Sequence, residues 1–407
     1  MPEKEMKHIE GILKEEDITL IEPDEEEAYR KIEACQNCGL CLAFCPILEV
    51  LPHESYSGPR SITSELSRTV REFWKAKDVV YYCTLCGRCQ EICSKNVPVP
   101  RAVTLIRAKL FKQRRDLVPK SFETMLESLH EHGLAFEPAA EDERVERAKG
   151  RLEMLGLPYV PDRVESNAEV LYFPGCQADI LLPEIRESAK LVLEKLEADY
   201  TLLPGLKCCG LPSVLMGDSE MADELEKDFL EKVKNLGVKT VVTTCAGCTA
   251  TLEGIRQRND ADFMVKHVIE YIVEDVGKEK FRELFGDHPG RVTVTLHAPC
   301  HLDRHVGKYT TDYAEEILEM LPGVEFRRLE DPERCCGAGG LLNLYNPRVS
   351  KAIVRKEIED IQRSGAQTVV TPCPLCLVQI DQALFKKKAK QEALDYTVFL
   401  AKRLYGA

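Results

Sequence analysis

The stretch Thr240-Val241-Val242-Thr243-Thr244-Cys245-Ala246-Gly247-Cys248 returns almost intact as Thr368-Val369-Val370-Thr371-Pro372-Cys373-Pro374-Leu375-Cys376. Each reads as a β-branched strand running straight into a Cys-x-x-Cys turn and a helix. Working outward, Cys208-Cys209-Gly210 matches Cys335-Cys336-Gly337, and Val170-Leu171-Tyr172-Phe173-Pro174-Gly175-Cys176 resembles Thr295-Leu296-His297-Ala298-Pro299-Cys300. The five paired cysteines are offset by 124, 127, 127, 128 and 128 residues, so a whole domain is duplicated and not a short solenoid unit. Each copy carries a first strand (169–173; 292–296), a helical stretch (184–196; 312–321) and a second short strand (200–203; 324–328). An amphipathic helix (220–236; 348–363) follows the Cys-Cys-Gly turn and is stopped by Gly237 or Gly365. Strand–helix–strand alternation predicts a parallel sheet. All these cysteines then fall just beyond the carboxyl ends of strands, where open α/β sheets place their ligands. Five sulfurs gather at one edge of each copy.

Upstream lie two more runs, Cys35-x-x-Cys38-x-x-Cys41-x-x-x-Cys45-Pro46 and Cys83-x-x-Cys86-x-x-Cys89-x-x-x-Cys93. This is the bacterial ferredoxin spacing. Three close thiolates wrap one cubane [4Fe–4S] cluster and the fourth reaches across to the other. Cys35, Cys38, Cys41 and Cys93 are therefore expected on one cluster, and Cys83, Cys86, Cys89 and Cys45 on the second. Ser94 stands where a proline would be expected, with Pro98 and Pro100 coming later. Zinc is the alternative for cysteine-only sites, but it more commonly takes two separated pairs. The fold class expected is thus mixed: a helical two-[4Fe–4S] ferredoxin-like domain followed by a duplicated parallel α/β cysteine-rich domain.

Composition agrees. All 18 cysteines fall into these four groups, and in a reducing compartment such a set points to metal and not to disulfides. A formal charge of −13 argues against nucleic acid as the main ligand; the basic stretch Arg107 to Arg115 reads as a solvated or docking face. No apolar run approaches the roughly 18–20 residues that span a bilayer, and the acidic start is no signal peptide. The expectation is a soluble cytoplasmic chain, with any membrane association made through a partner subunit. The domain boundaries expected are an acidic arm over 1–30, the ferredoxin-type domain over 31–135 and a connecting segment over 136–166. The cysteine-rich copies then occupy 167–285 and 286–407. No Gly-x-Gly-x-x-Gly follows a strand, so neither NAD nor FAD is expected.

The order lone Cys, Cys-Cys-Gly, Cys-x-x-Cys resembles the cysteine-rich domain of heterodisulfide reductase and its relatives. A ferredoxin pair followed by two such domains resembles the fused D-type catalytic subunit of that family, over about residues 31–400. The resemblance implies a noncubane [4Fe–4S] cluster on each complete five-cysteine set. The first set is Cys176, Cys208, Cys209, Cys245 and Cys248; the second is Cys300, Cys335, Cys336, Cys373 and Cys376. One copy could hold zinc instead. A disulfide takes two electrons while an iron–sulfur cluster passes one, so two such sites suit cleavage of a disulfide with one sulfur taken at each. The resemblance implies the mixed disulfide of coenzyme M and coenzyme B as that substrate. No cysteine is left over to act as an ordinary redox nucleophile.

Lys207, His301, Arg304 and His305 are candidates to steer an anionic substrate. With no flavin site in view, an electron-donating partner is required: a membrane cytochrome b, a flavoprotein or a hydrogenase-linked subunit. The rival reading is a non-catalytic electron-transfer subunit between a flavoprotein dehydrogenase, of the lactate, glycolate or glycerol-3-phosphate type, and a quinone or membrane complex.

Overall fold

A computed structural model of the 407-residue chain describes residues 26–63, 76–286 and 290–407. Most of the acidic arm read over 1–30, and most of the polar stretch between Ile62 and Lys77, lie outside the described residues. The chain forms two compact units. Among the described residues, one comprises those up to 122 with the short segments 214–218 and 339–349; the other comprises those in 123–213, 219–338 and 350–407.

The first unit is built of helices and loops around the two ferredoxin runs. In each run the residue before the second cysteine and the glycine after it are left-handed: Asn37 and Gly39, then Leu85 and Gly87. These reversals curl the backbone back on itself. Helix α1 (Val99–Gln113) follows the second run. The late prolines find their place here, Pro98 as its N-cap and Pro100 in its first turn, where the missing N–H costs nothing. Its face Ala102, Val103, Leu105, Ile106 and Leu110 is buried. Nearby, the rings of Tyr56, Tyr81, Tyr82, Phe122 and Tyr345 stack at centroid separations of 5.2–6.1 Å.

The second unit holds two four-stranded parallel sheets. The first has β1 (Val170–Phe173), β2 (Tyr200–Leu202), β3 (Thr240–Thr243) and β4 (Met264–His267) in the order β2-β1-β3-β4. The second repeats that order, β6-β5-β7-β8, with β5 (Val292–Leu296), β6 (Val324–Phe326), β7 (Thr368–Thr371) and β8 (Glu392–Asp395). Every pairing is parallel, as the strand–helix alternation requires. The fourth strand of each sheet escapes sequence reading. Met264-Val265-Lys266-His267 and Glu392-Ala393-Leu394-Asp395 mix charged and apolar residues on an edge, without the β-branched run that marks β3, β5 and β7.

The principal helices are α2 (Pro183–Lys195), α3 (Ser219–Leu236), α4 (Ala246–Arg258), α5 (Tyr309–Met320), α6 (Pro347–Ser364), α7 (Pro374–Lys387) and α8 (Tyr396–Tyr405). One continuous core joins the two sheets through Tyr172, Leu191, Val242, Ile269, Leu296, Ile317, Val370 and Phe399. Within it α2 packs on α8, and the Tyr396 hydroxyl donates to the Ala314 carbonyl at 2.7 Å. The repeats are thus fused into one body by burial of apolar surface.

Candidate iron–sulfur sites

In the first unit the eight sulfurs line two cavities. One is bounded by Cys35, Cys38, Cys41, Cys89 and Cys93, with Arg60 and Thr63 on its wall. The other is bounded by Cys45, Cys83, Cys86 and Cys89. Cys93 therefore stands with the first run and Cys45 with the second, while Cys89 touches both spaces. The Thr63 hydroxyl donates to Cys35 Sγ at 3.3 Å and the Leu85 N–H to Cys83 Sγ at 3.4 Å. Burial pushes the Cys45 thiol up to about 12 and the Cys83 thiol up to about 11. Ionised sulfur at neutral pH then calls for cationic partners in these cavities, and cluster iron supplies them. The all-thiol donor set, four to a cavity, fits a [4Fe–4S] cluster in each.

Gly337-Ala338-Gly339-Gly340 allows a close backbone approach, and the structure shows to what. Gly340 has φ +62°, and a Cβ there would run into the Cys83 carbonyl oxygen. The approach is thus to the second ferredoxin run itself.

In the second unit the ten sulfurs lie at the carboxyl ends of β1, β3, β5 and β7 and in the Cys-Cys-Gly turns. Eight are buried, and Cys245 and Cys300 are partly exposed. In the first set Cys176 and Cys208 stand 3.7 Å apart, sulfur to sulfur, and Cys209 contacts Cys248. In the second, Cys336 contacts Cys376, which contacts Cys373, and the Gly337 N–H donates to Cys335 Sγ at 3.4 Å. Gly175 (φ +77°) is required beside the first set, since a Cβ would come within 2.8 Å of Cys248 Sγ. The two sets also meet: Cys245 of one repeat reaches Cys373 of the other. The turn His301–Val306 after Cys300 packs on α4 of the first repeat, and the helix Cys176–Ile180 packs reciprocally on α7. Such reciprocity is what a pseudo-twofold between duplicated domains produces.

The candidate substrate-steering residues separate. His301 is partly buried, with Nδ1 3.7 Å from where a Cβ on Gly247 would stand, and its ring is 4.8 Å from that of His305. Burial, with His305 beside it, lowers His301 to about 3, so it is a neutral imidazole. Arg304 is buried and committed to Glu333, at 3.2 Å, with Asp303 at 3.9 Å. Lys207 points outward to Asp228 at 3.1 Å. His297, at the end of β5, is buried beside Glu357, whose Oε1 is 2.8 Å from Nδ1. Burial opposes a charge on His297, but Glu357 and Cys336 outweigh it and push the ring up to about 10.

Two [4Fe–4S] cavities together with a duplicated cysteine-rich α/β body define an iron–sulfur oxidoreductase. The CCG cysteine-rich domain family matches residues 170–253 and 294–381, and the 4Fe-4S dicluster domain family matches residues 31–97. An uncharacterized iron–sulfur protein of Methanococcus maripaludis is 32% identical over 388 residues, 92% of this chain and 72% of that one. The B-type subunit of fumarate reductase (CoM/CoB) from Methanothermobacter marburgensis is 26% identical, over 91% of this chain and 72% of its own length. The D-type subunit of dihydromethanophenazine:CoB–CoM heterodisulfide reductase from Methanosarcina mazei is 27% identical, over 85% and 87%. The chain belongs to this family of iron–sulfur proteins, in which a 4Fe-4S dicluster domain precedes two CCG domains. No helix among the described residues is long and apolar enough to cross a membrane.

Proposed function

We propose that this chain is the catalytic iron–sulfur subunit of a disulfide reductase. Its substrate is a mixed disulfide of the coenzyme M–coenzyme B kind, cleaved where two noncubane [4Fe–4S] clusters are held by the two five-cysteine sets. Two cubane clusters in the first unit feed them, and an electron-donating partner (membrane cytochrome b, flavoprotein or hydrogenase-linked subunit) feeds those. One observation carries the reading: both sets are complete, and Cys245 of one meets Cys373 of the other. Two one-electron sites side by side match a bond whose cleavage takes two electrons and two protons and yields two thiols.

When bound, the clusters supply single electrons and iron able to hold sulfur. The chain's own groups do the rest. Apolar Ala246, Leu302 and Ala338 pack against the second set and keep it dry. His301, a neutral imidazole, orients a sulfur by hydrogen bonding and brings no countercharge. Arg304, already satisfied by Glu333, holds the His301–Val306 turn in place.

The test is to disable each set separately. Cys209→Ser and Cys336→Ser should each abolish reduction of the disulfide by reduced viologen while the ferredoxin-type clusters keep their signals. Turnover that survives either substitution overturns the reading and leaves an electron-transfer subunit. The fumarate reductase (CoM/CoB) relative favours a second reading, in which the same sites take two electrons from two thiols and pass them to a partner.

A further inference from the structure

The duplication makes each repeat a control for the other. Strand register equates Val170, paired with Thr240, to Val294, paired with Thr368, and so equates Phe173 to His297. Helices α3 and α6 both run 18 residues and are related by the offset of 128 that relates Cys245 to Cys373, so Phe229 corresponds to Glu357. In the first repeat the two positions hold an apolar pair. Phe173 and Phe229 meet edge to face, with centroids 5.7 Å apart, and both are buried. In the second repeat the same positions hold His297 and Glu357, equally buried and joined at 2.8 Å.

Replacing an aromatic pair by an ionisable one inside a core is unfavourable unless polar partners compensate. The compensation lies on the far side of the imidazole. The His297 ring and the sulfurs of Cys336 and Cys376 all offer ligand atoms within 4.8 Å of one another. Glu357 engages Nδ1, which leaves Nε2 for sulfur. A carboxylate that fixes one ring nitrogen fixes the direction and proton of the other.

We infer that His297, oriented by Glu357, donates a hydrogen bond from Nε2 to the Cys336 sulfur and makes the second cysteine-rich site the more easily reduced of the two. The inference rests on the reading that both five-cysteine sets hold clusters. A hydrogen bond to a ligand sulfur stabilises the more negative, reduced state. Cys209, the counterpart of Cys336, has Phe173 at that position and receives no such bond from it. Electrons entering the second unit then settle first at the second set, and the two sulfurs of a bound disulfide meet unlike sites. His297 and Glu357 are positioning residues in this account.

The experiment gives the second repeat the first repeat's residues. Iron content of the wild-type chain is measured first: iron for fewer than four clusters overturns the reading on which the inference rests. With four clusters present, the double variant His297→Phe/Glu357→Phe is titrated anaerobically by electron paramagnetic resonance. The expected result is unchanged iron, one cysteine-rich site shifted to lower midpoint potential and the other unmoved. Glu357→Gln, which preserves shape, should shift the same site the same way by less. Unmoved potentials with full iron show the pair to be purely structural and overturn the inference. Selective loss of metal from the second site in both variants makes His297 a ligand, and overturns it equally.

Discussion

Arg107 lies in a basic run that reads from sequence as a solvated or docking face, yet its guanidinium is wholly buried. It donates to the carbonyls of Val80, Cys83, Leu215 and Gly340 at 2.6–3.2 Å and lies over the Tyr81 ring. Chain segments far apart in sequence are thus held by one fork of donors, with no carboxylate among these partners. A planar five-donor group does this and an ammonium does not. Arg107→Met would leave those carbonyls unsatisfied and should destabilise the chain by at least about 3 kcal/mol, read by anaerobic chemical denaturation. Its role was illegible because backbone carbonyls distant in sequence leave no motif. The cysteines were legible for the opposite reason: cluster chemistry needs one residue type at fixed spacing. Gly175 belongs to the same scale. Gly175→Ala should displace Cys248 and release iron from the first cysteine-rich site while the ferredoxin-type signals persist, read by iron content and paramagnetic resonance; retention of all iron would contradict the crowding seen there.

At the scale of elements, the strands and long helices followed from pattern, because β-branched runs and amphipathic periods are local signals. The edge strands β4 and β8 carry no such signal, and neither do the caps that follow them. His267 ends β4, and its Nδ1 accepts the Ile269 N–H, while Glu270 accepts the His267 N–H. Asp395 holds the corresponding place before α8 and accepts the Thr397 N–H. Burial lowers His267 to about 4 from an ordinary value of 6.5. Protonation would take the lone pair that caps the helix and bury a charge. The folded pKa is depressed, so this contribution is complete above about 6.5 and lost as pH falls towards 4. His267→Asn keeps a good cap without the titration and should flatten that part of the stability–pH curve; an unchanged curve would acquit His267.

The whole molecule shows what a duplication can and cannot disclose. That the two sheets share one order was implicit in the repeated motifs; that they share one core was not, since the copies read from sequence as separate domains. That residues 214–218 and 339–349, each following a Cys-Cys-Gly turn, belong to the ferredoxin unit was not, since membership is decided by packing. Gly340 is a point of very close approach in that packing. Gly340→Val should disturb the Cys83 loop and weaken retention of its cluster, which iron analysis would detect; unaltered iron and spectra would show that the loop yields without cost.

The central claim is that two complete cysteine sets make this chain a disulfide reductase and not a relay. The most direct measurement follows oxidation of reduced viologen by the anaerobically purified chain, loaded with all four clusters, on addition of the coenzyme M–coenzyme B disulfide. The account predicts disulfide-dependent oxidation with two electrons consumed and two thiols formed per disulfide. A fully loaded chain that oxidises no viologen would contradict it.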